Sequence, residues 1–223
     1  MADMSPDSID WLETVDSTNE EAKRRLAGWY HSPLENQRCR VIAAHQQTAG
    51  KGTQGRQWVS NNRDNLYCSW VHRASDGLTI PTTTDFTRVA AVAVASVLRE
   101  HYQLPVCIKP INDLYAPLPN TPHCYGKLGG ILVESVVQGG EISGLITGLG
   151  LNVMPVSDPS GVLTTPAVSV SELLPPGGIL PTKEELIIAI TDALEPLYQR
   201  LFSGHPVPLE PLLIAYQLPK CLD

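Results

Sequence analysis

The chain is short of positive charge, of paired cysteines and of long apolar runs. Lys and Arg number 16 against 23 Asp and Glu, a formal net charge of −7. A general nucleic-acid binder needs a cationic surface, so that class is not expected, although a local basic site for a phosphorylated ligand fits the balance. No run of about 18 apolar residues occurs, so no membrane span is expected. Met1 to Asp10 is acidic and polar and lacks the cationic and apolar parts of a secretory signal. The five cysteines (Cys39, Cys68, Cys107, Cys124, Cys221) are odd in number, and no CxxC pair occurs. Neither a zinc knuckle nor a redox pair is indicated, and reduced thiols in the cytoplasm are the expectation.

What is present supports a packed core: 43% of 223 residues are hydrophobic and 17% charged, enough for one larger domain or two small ones. Trp11 to Val15 reads as a short strand. Glu20 to Trp29 reads as a helix with Asp16 or Ser17 near its N-cap. Cys39 to His45 and Leu66 to Val71 are apolar runs of strand length, and so is the shorter Val106 to Lys109. Thr87 to Tyr102 is a helix whose valines lower its propensity, so burial must hold it. Leu114 to Gly126, with Pro117, Pro119 and Pro122, reads as a thirteen-residue surface loop. Leu128 to Val137 and Ile142 to Val153 form a hairpin around Gly139-Gly140. Thr182 with Glu185 opens a last helix to Phe202 through a capping box. The order mixes hairpins and helices, which predicts an α+β fold with a mixed β-sheet flanked by helices.

Four segments carry chemistry. Gly50-Lys51-Gly52-Thr53-Gln54-Gly55-Arg56 has three glycines that let backbone N–H groups turn toward an anion, and Lys51 and Arg56 add charge. A plain flexible loop would look the same. The spacing is not that of a P-loop, since no glycine stands five residues before Gly50. Asp16-Ser17-Thr18-Asn19 is either a helix cap or a set of hydroxyls and an amide for a polar head group. Lys109, Asn112-Asp113 and Lys127-Leu128-Gly129-Gly130 place cations and a carboxylate beside apolar strand. Lys127 either snorkels to water or pairs with an anion, and Asp113 sits in a turn or holds a divalent cation. Gly148-Leu149-Gly150-Leu151-Asn152 reads as a bulge or a close approach of a ligand.

The order and spacing of these segments, with Gln47, Trp58 and Asn65-Leu66-Tyr67 between them and Ile131-Leu132-Val133-Glu134 after Gly130, resembles the catalytic domain of biotin–protein ligases. The resemblance runs from about Asp10 to Asn152 and loosely to Phe202. It implies a sheet-and-helix fold related to class II aminoacyl-tRNA synthetases and lipoate ligases. It implies that ATP activates biotin as biotinyl-5'-AMP, and that biotin passes to a lysine of the biotin carboxyl-carrier domain of a carboxylase. Ser17, Thr18, Asn19, Gln47, Gly50, Lys51, Gly52, Thr53, Lys127, Gly130 and Gly148 would contact biotin. Arg56, Trp58, Asn112, Asp113, Lys127, Leu151 and Asn152 would contact ATP, with Trp58 stacking on adenine. Lys127, Lys51 and Arg56 would be catalytic, and Asp113 would hold Mg2+. A side-by-side homodimer through sheet edges and a monomer both occur in the family.

The chain departs from that pattern in places. The family loop usually reads G-R-G-R-x-G-R; here Lys51 and Thr53 stand for two arginines, so the bidentate fork is lost at one and the charge at the other. Pro110-Ile111 replaces a tryptophan–proline pair, which removes a flat wall before Asn112. The loop before Lys127 is long, and His123-Cys124 at its tip is either an acceptor contact or inert. Residues 1–223 read as a single catalytic domain: a helix-turn-helix does not fit before Asp16, and a C-terminal β-barrel does not fit after Phe202. A lipoate or octanoate ligase of the same fold, and a decayed module that binds biotin without reacting, are the alternatives.

Overall fold

The computed structural model describes residues 9–29, 39–73, 83–139, 141–157, 161, 163 and 165–219. Among them seven strands form one sheet: β1 (Ile9–Val15), β2 (Cys39–Gln47), β3 (Leu66–Arg73), β4 (Cys107–Lys109), β5 (Asp113–Pro117), β6 (Tyr125–Gln138) and β7 (Glu141–Leu151). Their spatial order is β1-β2-β3-β7-β6-β5-β4. β1 and β2 run parallel and every other pair is antiparallel, which gives the expected mixed sheet. Helices are α1 (Thr18–Trp29), α2 (Thr83–Glu100), α3 (Val170–Leu173), α4 (Lys183–Phe202) and α5 (Glu210–Ala215). No described helix is long and apolar enough to cross a membrane.

Side-chain alternation along the central strands assigns the two faces. Ala22 and Leu26 of α1 pack with Ile42, Val71 and Ile146 on one face. Leu66, Cys68 and Trp70 of β3 turn to the other, where α2 and α4 complete the main core. Trp70 donates from its indole nitrogen to Thr191 of α4 at 2.7 Å, so the largest buried ring has its polar atom satisfied. α2 is buried along most of its length, from Phe86 to Leu98, so burial offsets the cost of its valines. It begins at Thr83, four residues before the sequence suggested. The α4 capping box is formed: Glu185 N donates to the Thr182 hydroxyl at 3.1 Å, and Thr182 N donates to Glu185 at 2.8 Å.

Two boundaries matter for the site. α1 starts at Thr18, with Glu21 N donating to Ser17 O, so Asn19 belongs to its first turn. The thirteen-residue loop does not exist as such. Leu114, Tyr115 and Ala116 are buried in β5, Ala116 pairs with Gly126 and Pro117 with Tyr125, and only residues 118–124 turn. The prolines hid this strand: Pro117 stands at its end, while Pro119 and Pro122 lie in the turn. The β6–β7 hairpin is as expected, with Gly139 at φ +63°, where a side chain would be strained; Gly140 lies outside the described residues.

Candidate functional site

The N-terminus of α1, the end of β2, the loop after it, the starts of β5 and β6 and the end of β7 meet around one cavity of about 350 Å³. That size suits a small-molecule ligand. Its lining includes Ser17, Thr18, Asn19, Gln47, Lys51, Gly52, Thr53, Arg56, Trp58, Asn112, Asp113, Lys127, Gly130, Gly148 and Asn152. The four cations singled out in the sequence, Lys51, Arg56, Lys109 and Lys127, all line this space.

Two expected site residues do not line it. Leu151 is fully buried in the main core, because its side chain alternates to the face opposite Gly150. Gly50 stands behind the wall. A Cβ there would come within 2.7 Å of Trp58 O and 2.8 Å of Ser60 Oγ, so glycine is what lets the loop fold back on itself.

The loop from Gly50 to Trp58 is a small closed hairpin. Trp58 N donates to Gly50 O, Gly52 N donates to Arg56 O at 2.7 Å, and Lys51 bridges Gln57. Arg56 donates to Thr53 through both its carbonyl and its hydroxyl. Lys51 leaves the loop to pair with Glu20 at 2.6 Å. Glu20 also pairs with Lys23, and these two ammonium groups hold its carboxyl below the ordinary range. Lys127 pairs with Asp113 at 2.8 Å.

The floor is made of glycine. Gly130 and Gly150 are register partners across β6 and β7, and Gly148 opposes Leu132. The Trp58 ring rests on this floor: a Cβ at Gly150 would lie 2.4 Å from its Cε2, and one at Gly130 3.1 Å from its Cζ3. Lys127 Nζ is 5.4 Å from the ring centroid, and the indole nitrogen is buried with no partner among the described residues. Trp58 is thus an aromatic face with one unused donor inside a cationic cavity.

The polar end near α1 is different, because its groups are spent on one another. Thr18 donates from N and Oγ1 to Gln47 Oε1, and Gln47 Nε2 donates to Ser60. Ser69 lies within hydrogen-bonding distance of both Thr18 and Asn19, at 2.8 and 2.6 Å, and Asn19 Nδ2 donates to Glu134 and Leu132 O. Asn152 donates to Lys127 O and Val168 O, and so ties the two strand ends together. Asn112 donates to Ile131 O and Asp113.

Glu20, Ser69 and the Thr165–Ala167 segment also build the site. Glu20 follows the first motif directly but reads as an ordinary first-turn acid. Ser69 lies in the middle of an apolar strand, where a lone hydroxyl facing α1 was the available signal. Lys127 N donates to Pro166 O, and Val168 N to Lys127 O, so this segment pins the lysine backbone; nothing in its sequence marks it. Tyr115 lines the cavity, with Lys109 Nζ 5.4 Å from its ring, so an aromatic face is present although Pro110-Ile111 lacks one.

Asp113 is the single carboxylate among the described lining residues. Already paired with Lys127, it supplies too few oxygens for magnesium by itself. It fits magnesium when phosphate oxygens provide most of the ligands.

Comparison with known proteins places the chain in a family. The chain is 31% identical over 146 residues to the bifunctional ligase/repressor BirA of Escherichia coli, which covers 66% of this chain and 40% of that protein. It is 31% identical over 113 residues to BirA of Bacillus subtilis, covering 51% and 32%. The chain thus spans well under two thirds of these relatives' own length. Two solved structures share the fold. The Aquifex aeolicus biotin protein ligase in complex with biotin and ATP has a TM-score of 0.68 at 23% identity, covering 94% of this chain and 78% of that one. The Leishmania major biotin protein ligase in complex with biotinyl-5-AMP has a TM-score of 0.64 at 22% identity, covering 96% and 85%. Residues 11–152, which hold the first of the lining residues at Ser17 and the last strand-end amide at Asn152, match the biotin/lipoate A/B protein ligase family, and the chain belongs to that family.

Proposed function

We propose that this chain activates biotin with ATP and transfers it to a lysine of a biotin carboxyl-carrier domain. The observation that carries the reading is the convergence of Lys51, Arg56 and Lys127 on one glycine-floored cavity with a single carboxylate among its described lining residues. Two anions, a carboxylate and a polyphosphate, repel each other in water. Fixed cations in a partly enclosed site offset that repulsion and the charge that builds on the phosphates.

In the first step a biotin carboxylate oxygen attacks the α-phosphorus, and pyrophosphate leaves with the electrons of the broken P–O bond. In the second step the acceptor amine attacks the acyl carbonyl, a C–N bond forms, AMP departs and the amine proton passes to solvent. Lys127, central and held at its backbone by Pro166, would bridge the carboxylate and the α-phosphate. Lys51 and Arg56, on the loop, would close over the adenylate. Trp58 would present its ring to adenine. Asn152 and Asn112 would hold the strand ends that carry Lys127 and Asp113. The Thr18, Asn19 and Gln47 network would form the end wall for the ureido ring, with Ser17 beside it. Magnesium would arrive on the nucleotide and lower its charge, with Asp113 at hand as a ligand. The free thiols of Cys39, Cys68, Cys107 and Cys124 suit a reducing compartment such as the cytoplasm.

The test is incubation of the purified chain with ATP, labelled biotin and a carrier domain, with lipoate in parallel. Pyrophosphate release and label transfer with biotin are expected, and Lys127→Ala should lose roughly 10²–10³ in rate. Pyrophosphate release with lipoate alone would move the chain to the other branch of the family. Biotin binding without pyrophosphate would make it a binding module.

A further inference from the structure

The sheet face opposite α1 carries a second chemical cluster that the ligase reading does not use. Cys39 opens β2, His72 stands next to last in β3, and the two are register partners in adjacent antiparallel strands. Side chains so opposed lie close together on one face. Glu195 reaches them from α4. The Cys39 sulfur, a ring nitrogen of His72 and a carboxylate oxygen of Glu195 all lie within 4.8 Å of one another. Among the described residues no other group of His, Cys, Asp and Glu side chains is arranged in this way.

We propose that Cys39, His72 and Glu195 form a binding site for a divalent transition metal of borderline softness, with zinc the best fit. Thiolate, imidazole and carboxylate together are the donor set of zinc and its neighbours; magnesium and calcium take oxygen alone. Bonds of about 2.0–2.3 Å in a tetrahedron put ligand atoms roughly 3.3–3.7 Å apart. The cluster reaches that spacing by modest side-chain shifts, with His72 Nε2 and Glu195 Oε1 opening from 2.5 Å. Charge balances as well. One thiolate and one carboxylate cancel the two charges of the ion, so a neutral unit replaces a mixed one in a mostly buried place.

The bland alternative is an ion pair that fastens α4 to the sheet. It accounts for less. His72 is 1% exposed, and its Nδ1 is buried with no partner. An ion pair through Nε2 therefore leaves the imidazole half satisfied among the described residues, at a position where buried polar atoms are normally paired. Within that arrangement the Cys39 thiol hydrogen-bonds the Glu195 carboxylate, so all three donor groups already face one another. Burial and the Glu195 charge both push the Cys39 thiol well above its usual value, so it is no nucleophile by itself. A metal ion removes that obstacle by displacing the proton: the S–H bond breaks, the metal–sulfur bond forms and the proton goes to water. Tyr198 and Phe202 wall the imidazole at ring distances of 5.0 and 5.7 Å and fix its plane. The Glu195 side chain is 25% exposed, which gives an ion its way in and leaves a fourth position for water. The metal would join two strands and a helix on the side of the sheet away from the cavity, so its role is structural.

The chain, freed of metal with a chelator and carrying no histidine tag, is titrated with Co2+ as a spectroscopic stand-in for zinc. One Co2+ per chain is expected, with a thiolate-to-cobalt charge-transfer band in the near ultraviolet that Zn2+ abolishes by displacement. Cys39→Ser should lose the band, and Cys124→Ser should keep it. Glu195→Gln, which keeps the shape and is partly exposed, should weaken binding at least tenfold while the chain stays folded. Zn2+ should raise the unfolding midpoint of the wild type but not of Cys39→Ser. No charge-transfer band in the wild type, or a band that survives Cys39→Ser, overturns the proposal. So does full affinity in Glu195→Gln. None of these readouts depends on biotin or ATP, so the site stands or falls apart from the ligase reading.

Discussion

Gly148 and Gly150 lie two residues apart on one face of β7, yet a methyl group at each should damage different things. At Gly148 a Cβ would come 2.2 Å from Asn19 Oδ1, about 1.2 Å inside the limit of ordinary contact. β7 is hydrogen-bonded on both sides, to β3 and β6, so the strand cannot yield and Asn19 must. Moving Asn19 breaks its contacts with Ser69, Glu134 and Leu132 O. At about 1–1.3 kcal/mol for each of these three buried hydrogen bonds, the loss is about 3–4 kcal/mol. In a domain of this size that is a fall of about 6–16 °C in midpoint. At Gly150 the Cβ would meet the Trp58 ring at 2.4 Å. The indole has no hydrogen bond to lose and belongs to a loop, so it swings away. Gly150→Ala should cost roughly 1 kcal/mol or less of stability. It should weaken ATP use about tenfold, the worth of one aromatic contact. Thermal unfolding followed by circular dichroism, paired with ATP–pyrophosphate exchange, separates the two. If Gly148→Ala melts within 2 °C of wild type, on the order of measurement error, the account of Asn19 is wrong. If the two variants melt together, the division of roles between the glycines is wrong.

Other consequences follow from the charged groups. Glu20→Gln frees Lys51 from its carboxylate, so the apparent KM for ATP should fall by up to about fivefold, the value of a partly exposed ion pair; a rise would show that Glu20 positions the loop instead. Asp16 is held down to about 2 from 3.8, chiefly by its hydrogen bonds with Arg24. Because the folded value is depressed, this stabilisation is present above the unfolded value and is lost as pH falls from 3.8 toward 2. Arg24→Ala should therefore be less stable than wild type in urea at pH 6 by under about 1 kcal/mol, since the pair is half exposed. The gap should shrink at pH 3, and a gap that widens on acidification would contradict the sign.

Much of this architecture was legible because local chemistry and burial agree. The capping box at Thr182, the apolar runs of β2 and β3 and the turn at Gly139 each follow from short-range rules, and the structure keeps them. β5 was lost because its three buried residues, Leu114 to Ala116, are too few to show a period beside three prolines. Leu151 lies off the cavity, because a motif gives positions whereas strand alternation gives the face each side chain takes. Most of the residues singled out in the sequence line one cavity, but their partners were not legible. Nothing in the sequence couples Lys51 to Glu20 or Lys127 to Asp113, because those pairs join α1 to the glycine loop and β5 to β6 across long separations. The Cys39, His72 and Glu195 cluster was invisible for the same reason. Counting cysteine spacings finds ligands that are neighbours in sequence, and these three come from three elements.

The pairing pattern divides the cavity into two ends with different physics. At the α1 end, Thr18, Asn19, Gln47 and Ser69 are held by one another, so a ligand finds a fixed surface and uses the lone pairs left over. At the loop end, Lys51 and Lys127 are each matched with a carboxylate, so an incoming phosphate must exchange for Glu20 or Asp113. The exchange is favourable to the extent that phosphate carries more charge than the carboxylate it replaces. Lys51 is the more exposed of the two, at 47% against 26%, so dissolved salt reaches it more readily. Screening acts on such exposed charges over a length of about 10 Å at 0.1 M, shrinking to about 3 Å at 1 M. A neutral head group in the fixed network feels almost none of it. Raising salt should therefore increase the KM for ATP several-fold while the affinity for biotin, whose one carboxylate meets the less exposed Lys127, changes much less, measured by pyrophosphate exchange and by biotin titration at the same salt steps. Equal sensitivity of the two ligands would mean that biotin is held by the loop cations rather than by the α1 network, and the assignment of the two ends would have to be reversed.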